Sequence, residues 1–98
     1  MITVVWRFEP KPARREEFER AYGRDGAWAR LFSRDPAYVE TILLRDAVCE
    51  GSYLCMDKWT SLSAYEAFKE KHRAEYEALD RECESLTAEE IRIGIFED

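Results

Sequence analysis

The fold follows from the middle of the chain, where residues 38–59 read YVETILLRDAVCEGSYLCMDKW. Two runs in this segment, Tyr38–Arg45 and Ser52–Trp59, are rich in β-branched, aromatic and other apolar residues, which is typical of β-strands. The residues between them, Asp46–Gly51, form a connection short enough for a hairpin. We therefore expect two neighbouring antiparallel strands in the middle of the chain.

A strand and a helix are predicted before this hairpin. Ile2–Glu9 has the composition of a strand and is followed by two prolines, which the interior of a sheet does not accommodate. A helical pattern of apolar residues begins near Pro12, where proline suits the first turn of a helix. The pattern is interrupted at Gly23–Gly26 and resumes from Ala27, so we expect a real break in this helix.

A second helix and a final strand are predicted after the hairpin. Ser63–Glu66 has the spacing of a capping box at the start of a helix. One continuous helix with an apolar stripe is expected to follow, and the stripe consists of Tyr65, Phe68, His72, Tyr76, Leu79 and Cys83. A turn is expected at Thr87–Glu90. In the closing strand Ile91, Ile93 and Ile95 occupy alternate positions and are expected to share one face.

The order strand, helix, strand, strand, helix, strand is that of the ferredoxin-like βαββαβ fold, an α+β architecture. Right-handed crossovers place both helices on one face of its four-stranded antiparallel sheet. With 98 residues and 11.6 kDa the chain has room for a single domain, spanning residues 1–98. The other face of the sheet is predicted to carry no helices.

Both faces of the predicted sheet carry apolar side chains. One alternation contains Val4, Trp6, Phe8, Ile42 and Leu44, and the other contains Val5, Val39, Leu43, Leu54 and Met56. Two helices cover only one face, so the open face would expose an apolar patch of roughly several hundred Å². We therefore predict a homodimer through the open sheet face, with the two sheets packed against each other.

Composition and charge exclude several classes of function. The chain has 15 Lys and Arg against 21 Asp and Glu, for a net charge of -6, which disfavours binding to nucleic acid. No apolar run approaches the roughly 20 residues that cross a bilayer, so no membrane association is expected. A single histidine and three cysteines without a CxxC pair indicate no metal site and no disulfide framework. We expect a soluble, cytoplasmic protein.

Four segments resemble the antibiotic biosynthesis monooxygenase (ABM) family. They are the aromatic and glycine pattern of Phe18–Phe32, the strand Tyr38–Leu43, the DKWTS element of Asp57–Ser61, and Leu79–Thr87. The resemblance implies a dimeric α+β barrel with a small pocket between sheet and helices in each subunit. Enzymes of the family oxidise phenolic or anthrone-like aromatics with O₂ and need no metal, flavin or haem. The resemblance therefore implies no cofactor.

The polar residues of the pocket depart from the family pattern. Some ABM enzymes and the related haem-degrading branch use an Asn in the pocket, and this chain contains no Asn. Haem-degrading members also place a His closer to the W-x-S element, at a position where this chain has Phe68 and Lys69. His72 lies about one turn later, so haem ligation by His72 is not expected.

Two residues are candidates for the catalytic base that a cofactor-free oxygenation requires. His72 is the only histidine and lies on the apolar stripe; alternatively, its ring lies at the helix edge or bonds a backbone carbonyl. Asp57 shares a strand face with aromatic residues that would raise the pKa of its carboxyl. Alternatively, it forms a structural ion pair across the sheet with Arg7, Arg45 or Arg92.

Aromatic side chains are the predicted substrate-binding groups, because rings bury a large area and can orient a flat ligand. The family motif places Trp59 beside the pocket, and the glycine break directs Trp28 towards it; Tyr22 is the third predicted wall residue. The further candidates are Phe68, Tyr76, Trp6 and Arg7, of which Arg7 would hold a substrate oxyanion. The alternative is that these rings only pack the core and a dimer interface.

Two main functions are consistent with these features, and a more remote third is a cyclase or decarboxylase-type enzyme on the same fold, which needs a base but no O₂. The first is a cofactor-independent monooxygenase of a small aromatic or quinol-type substrate, with His72 or Asp57 as the base. The alternative is a non-catalytic dimeric protein that binds a small hydrophobic aromatic ligand or serves as an accessory subunit. A pocket of roughly a few hundred Å³ reached by His72 or Asp57 would favour the enzyme, and a closed core would favour the alternative.

Overall fold

The computed structural model describes all 98 residues. They fold into one four-stranded sheet and four α-helices, joined by turns and loops. In chain order the elements are β1 (Ile2–Pro10), α1 (Arg15–Tyr22), α2 (Ala27–Phe32), β2 (Tyr38–Arg45), β3 (Tyr53–Trp59), α3 (Leu62–Lys71), α4 (Arg73–Cys83) and β4 (Thr87–Glu97). Short 3₁₀ turns precede α1 at Pro12–Arg14 and β4 at Glu84–Leu86. None of the helices has the length and apolar character needed to cross a membrane.

The sheet has the strand order β2-β3-β1-β4, and every neighbouring pair is antiparallel. The helices bury their apolar side chains against one face of the sheet, where Phe18 of α1 and Phe68 of α3 join Val4 and Trp59 in the core. The opposite face carries no helix. This arrangement confirms the predicted ferredoxin-like α+β fold.

The central hairpin forms as expected, and its turn is stabilised by side-chain hydrogen bonds and by a glycine. The carboxylate of Asp46 accepts hydrogen bonds from the backbone N–H groups of Val48 and Cys49, each at 2.9 Å. Gly51 has a φ of 87°, a left-handed conformation that glycine adopts without strain. The two strands are paired so that Thr41 lies opposite Asp57. This pairing positions one side of the candidate site.

The predicted break between the first two helical segments is present between α1 and α2. Gly23 ends α1, and its N–H bonds the carbonyl of Glu19. At Gly26 a Cβ atom would lie 2.4 Å from the carbonyl oxygens of both Arg20 and Ala21. A side chain at Gly26 would therefore collide with the backbone of α1, so glycine permits the close approach of the two helices.

The second helical region differs from its prediction at two places. The N-cap is Ser61, whose Oγ accepts a hydrogen bond of 3.1 Å from the N–H of Ala64, and the capping box predicted at Ser63 was wrong. The single predicted helix is also divided at His72 (φ -109°, ψ 30°) into α3 and α4. Apolar spacing continues through both helices, so periodicity could not reveal a local change in backbone angles.

The last strand also differs from its prediction. β4 begins at Thr87, so the expected turn at Thr87–Glu90 was wrong. A bulge shifts its register against β1: Val5 pairs with Gly94, whereas Trp6 pairs with Arg92, which leaves Ile93 as the extra residue. The bulge reverses the alternation, so Arg92 shares a face with Trp6, and Ile91 faces the open side of the sheet. The expectation that the three isoleucines share one face was wrong.

The faces of β2 are the reverse of those predicted. Ile42 pairs with Met56 and Leu44 pairs with Leu54, and these four side chains lie on the open face. Leu43, opposite Cys55, packs against the core instead. A register shift lies between Tyr38 and Glu40, at the start of the strand. Alternation alone could not relate the faces of separate strands, because their relative register was unknown.

Candidate functional site

A cavity of about 260 Å³ lies between the sheet and the helices. Five of the residues predicted as site residues line it: Trp6, Tyr22, Trp28, Asp57 and Tyr76. Phe8, Phe32 and Cys55 complete the apolar part of its wall. A cavity of this size, just below the range of about 300–1,000 Å³ typical of ligand sites, suits a compact aromatic molecule.

Asp57 lies at the buried end of this cavity. Its side chain is on β3 and the residue is only 8% exposed. Its Oδ1 accepts a hydrogen bond of 2.6 Å from the Thr41 hydroxyl, which is 2.6 Å from the Tyr38 hydroxyl. The cross-strand pairing of Thr41 and Asp57 creates this contact, since both side chains leave the sheet on the helix-covered face.

The carboxyl of Asp57 has the properties of a base that works near neutral pH. Burial raises its pKa to about 6, and the hydrogen bond from Thr41 opposes this effect. No ion pair forms between Asp57 and an arginine; Arg7 instead lies 3.7 Å from Asp46 at the hairpin. A carboxylate with this pKa can accept a proton and return it at physiological pH.

The other titratable groups in the buried part of the cavity stay neutral. Burial raises the pKa of the Tyr22 and Tyr76 hydroxyls above the ordinary value for tyrosine. Burial, with a smaller effect of the Asp57 charge, likewise raises the pKa of the Cys55 thiol. These groups can orient a ligand, but none of them is a base or a thiolate nucleophile at neutral pH. Asp57 is therefore the one group in the buried wall of this cavity whose pKa lies near neutral pH.

The outer end of the cavity is charged. Lys69 of α3 and Arg92 of β4 line it together with Asp80 of α4 and Glu90 of β4. Asp80, Glu90 and Arg92 are exposed, whereas Lys69 is half-buried. Burial lowers the pKa of Lys69, and the charge of Arg92 lowers it further. Partial burial of the Glu90 carboxyl raises its pKa, and the charges of Asp80 and Glu84 raise it further.

His72 lies outside this cavity. Its ring packs on Phe68, with ring centres 4.7 Å apart, and its Nδ1 is 3.2 Å from the carboxylate of Glu75. The same carboxylate forms an ion pair with Arg34 from the segment before β2. His72 thus occupies the junction of α3 and α4 near the protein surface, where it does not meet the cavity.

Three of the predicted binding residues lie away from the cavity. Trp59 and Phe68 are fully buried in the core, with ring centres 5.1 Å apart, and do not line the cavity. Arg7 extends from the open face of β1 towards the hairpin. Trp59 and Phe68 thus pack behind the wall residue Phe32, with ring centres 5.4 Å and 5.6 Å from its ring, whereas Arg7 lies on the other face of the sheet.

Several residues of the site were not identified from the sequence. Thr41 was missed because its position opposite Asp57 depends on the register between β2 and β3, which a shift of one residue would change. Lys69, Asp80, Glu90 and Arg92 had no signal in the sequence, since they come from separate elements and meet only in the folded chain. No group of three or more His, Cys, Asp or Glu side chains is arranged to hold a metal ion.

A family model and several solved structures relate the chain to one family of proteins. The model of the antibiotic biosynthesis monooxygenase family matches residues 1–75. SnoaB from Streptomyces nogalater, a cofactor-independent oxygenase, is 26% identical; in its mutant form it superimposes with a TM-score of 0.77 over 99% of this chain and 91% of SnoaB. A candidate antibiotic biosynthesis monooxygenase from Deinococcus radiodurans is 10% identical, with a TM-score of 0.78 over 100% of this chain and 92% of that one. No functionally curated protein matches the chain.

Proposed function

The chain belongs to the antibiotic biosynthesis monooxygenase family, and on this premise we propose that it is a cofactor-independent monooxygenase of a compact phenolic or quinol-type aromatic substrate. Asp57 is the base in this proposal. The observation that carries it is a buried carboxyl with a pKa of about 6 at the closed end of an aromatic cavity. Such a group can deprotonate an acidic aromatic substrate where water is largely excluded.

The reaction begins with proton transfer from the substrate to Asp57. For a substrate whose reacting carbon is a CH₂ group between two rings, loss of the proton leaves a carbanion that reduces O₂ and forms a C–O bond. Asp57 returns its proton to the peroxide oxygen. The second C–H bond and the O–O bond then break, so that one oxygen atom remains as a carbonyl and the other leaves as water. The substrate supplies all the electrons in this sequence.

The aromatic wall orients the substrate in this proposal. Trp6, Tyr22, Trp28 and Tyr76 line the cavity and offer ring faces to a flat molecule. Trp28 lies against both tyrosines, with ring centres 6.1 Å from Tyr22 and 5.0 Å from Tyr76. Contacts among the rings limit their movement and favour a flat ligand over a bulky one. Trp59, Phe68, Arg7 and His72 make no direct contact with substrate in this assignment.

Oxygen consumption with anthrone and with naphthalene diols tests the proposed activity. We expect uptake by the wild-type protein and a loss of at least about 100-fold in Asp57→Asn, which keeps the shape of the side chain and removes the base. His72→Gln is the matched control and should retain the wild-type rate, because His72 lies outside the cavity. Equal rates in wild type and Asp57→Asn would contradict the role of Asp57. Binding of these aromatics without uptake would favour the non-catalytic binding protein.

The homodimer predicted from the sequence is part of the proposal. The open face of the sheet carries an apolar patch formed by Val5, Ile42, Leu44, Leu54, Met56, Ile91 and Phe96. Leu44, Ile91 and Phe96 are each 45–53% exposed. Patches of this kind mark interaction surfaces in soluble proteins. A second copy packed sheet to sheet would cover the patch.

The proposed compartment is the cytoplasm. All three cysteines are free thiols, and Cys49 is exposed on the hairpin. An exposed thiol without a partner suits a reducing compartment better than an oxidising one.

A further inference from the structure

Two cationic side chains at the outer end of the cavity form no ion pair within the protein. Lys69 projects from α3 and Arg92 from β4, and both line the cavity that contains Asp57. The ion pairs of the chain include neither residue, and neither donates a hydrogen bond to another side chain or to the backbone. Two unpaired cations therefore converge on one cavity.

The fold holds these cations in place. The Nζ atom of Lys69 lies 5.3 Å from the ring centre of Tyr65 and 5.2 Å from that of Tyr76, within the range of cation–π contacts. Arg92 is directed towards the helices by the bulge at Ile93, since without the extra residue it would face the open side of the sheet. Ring contacts hold Lys69 and the backbone bulge positions Arg92, so the fold itself fixes both cations at this end of the cavity.

Lys69 and Arg92 lie close enough for their positive charges to repel each other. Burial lowers the pKa of Lys69 and the charge of Arg92 lowers it further, as expected for two cations close together; the charges of Glu66 and Asp80 have smaller, opposing effects. Asp80 and Glu90 also face the cavity, but neither comes within 4.0 Å of a cationic group. An anionic group bound between Lys69 and Arg92 would remove the repulsion and form charge-assisted hydrogen bonds with both.

We propose that the natural substrate is an aromatic acid with one carboxylate, which binds between Lys69 and Arg92 while its ring enters the cavity towards Asp57. This inference rests on the proposed function, because it names the substrate class of the same site. Asp57 at the buried end repels a carboxylate, so the charged group stays at the outer end and the opposite edge of the ring approaches the base. Asp80 and Glu90 disfavour ligands with a second negative charge.

Isothermal titration calorimetry with 6-hydroxy-2-naphthoate and its neutral amide tests this inference. The amide keeps the ring and the hydroxyl and removes the charge. We expect the wild-type protein to bind the carboxylate at least about tenfold more tightly than the amide at low salt. The preference should shrink in Lys69→Met and in Arg92→Met and disappear in the double variant, while affinity for the amide changes little.

Lys71→Met is the matched control, because it removes one positive charge from the exposed end of α3 away from the cavity. It should retain the wild-type preference for the carboxylate. Equal affinities of the wild-type protein for carboxylate and amide would overturn the inference, and so would the absence of binding of either ligand at millimolar concentration. Oxygen uptake with neutral aromatics tests the proposed function separately, so uptake without any carboxylate preference overturns only the substrate class.

Discussion

Asp57 shows how the environment of one residue determines its chemistry. Carboxylates in sheets are commonly paired with a cation, which lowers their pKa. Here the partner is the neutral hydroxyl of Thr41, and burial raises the pKa to about 6. The sequence could not distinguish these outcomes, because the candidate partners Arg7, Arg45 and Arg92 all lie on strands of the same sheet. Arg7 lies on the open face of β1. Arg92 lies on the helix-covered face of β4 and lines only the outer end of the cavity.

The pH dependence of catalysis should report the ionisation of Asp57. The base form predominates above a pKa of about 6, so we expect kcat/KM to rise with pH and to level off above that value. In Thr41→Val the ionised carboxylate loses its hydrogen bond, which raises the pKa further. The inflection should therefore move to higher pH, by about 1 pH unit.

Thr41→Ser is the control for this experiment, because it keeps the hydroxyl that donates to Asp57. Its pH profile should match that of the wild-type protein. The profiles are measured as initial rates of oxygen uptake at subsaturating substrate. An inflection at the same pH in Thr41→Val and wild type would contradict the assignment of this ionisation to Asp57.

His72 illustrates the limit of residue-level reasoning. It was a candidate because it is the only histidine and lies among aromatic residues on an apolar stripe. The backbone changes direction at this residue, and the ring contacts Phe68 and Glu75. A stripe on a helix shows which residues face inward, but it does not show which part of the interior each one reaches.

At the scale of elements, the bulge in strand β4 has the largest effect on which side chains line the cavity. It changes which side chains face the helices, and so brings a cation into the cavity. Gly94 lies next to the extra residue Ile93, and glycine within a strand often accompanies such irregularities. That signal was present in the sequence, yet it does not specify where the register changes.

The start of α3 gives a stability prediction at this scale. Ser61→Ala removes the hydroxyl that accepts from the N–H of Ala64, so we expect a loss of about 1 kcal/mol in the free energy of unfolding. Ser63→Ala is the matched comparison: its exposed hydroxyl lies 3.3 Å from that of Ser61 but bonds no backbone group of α3, so the change should alter stability by less than about 0.5 kcal/mol. Urea unfolding followed by circular dichroism measures both. A larger loss in Ser63→Ala would contradict the assigned cap.

At the scale of the whole molecule, the proposed homodimer depends on the exposed apolar patch on the open face of the sheet. Met56 lies near its centre, between Ile42 of β2 and Val5 of β1. Met56→Glu would place a charge in the proposed interface without a partner. We expect this variant to be a monomer at micromolar concentration, with a dissociation constant raised by at least about 100-fold, since an unpaired buried charge costs several kcal/mol.

Sedimentation velocity of the wild-type protein and this variant measures the effect. Ala78→Glu adds the same charge to the exposed surface of α4 and should remain a dimer. Circular dichroism checks that each variant is folded. A wild-type protein that sediments as a monomer at these concentrations would contradict the proposed dimer directly.

The sequence alone determined the order of the elements, the ferredoxin-like sheet and the position of Asp57 among aromatic residues. These depend on short-range patterns: strand alternation, helical spacing, a hairpin-length connection and glycine breaks. Tertiary structure alone decided the faces of β2 and β4, the exclusion of His72 from the cavity, and the meeting of Lys69 with Arg92. The physical reason is that a shift of one residue in register reverses a strand's faces, and that convergence of distant side chains depends on how whole elements pack.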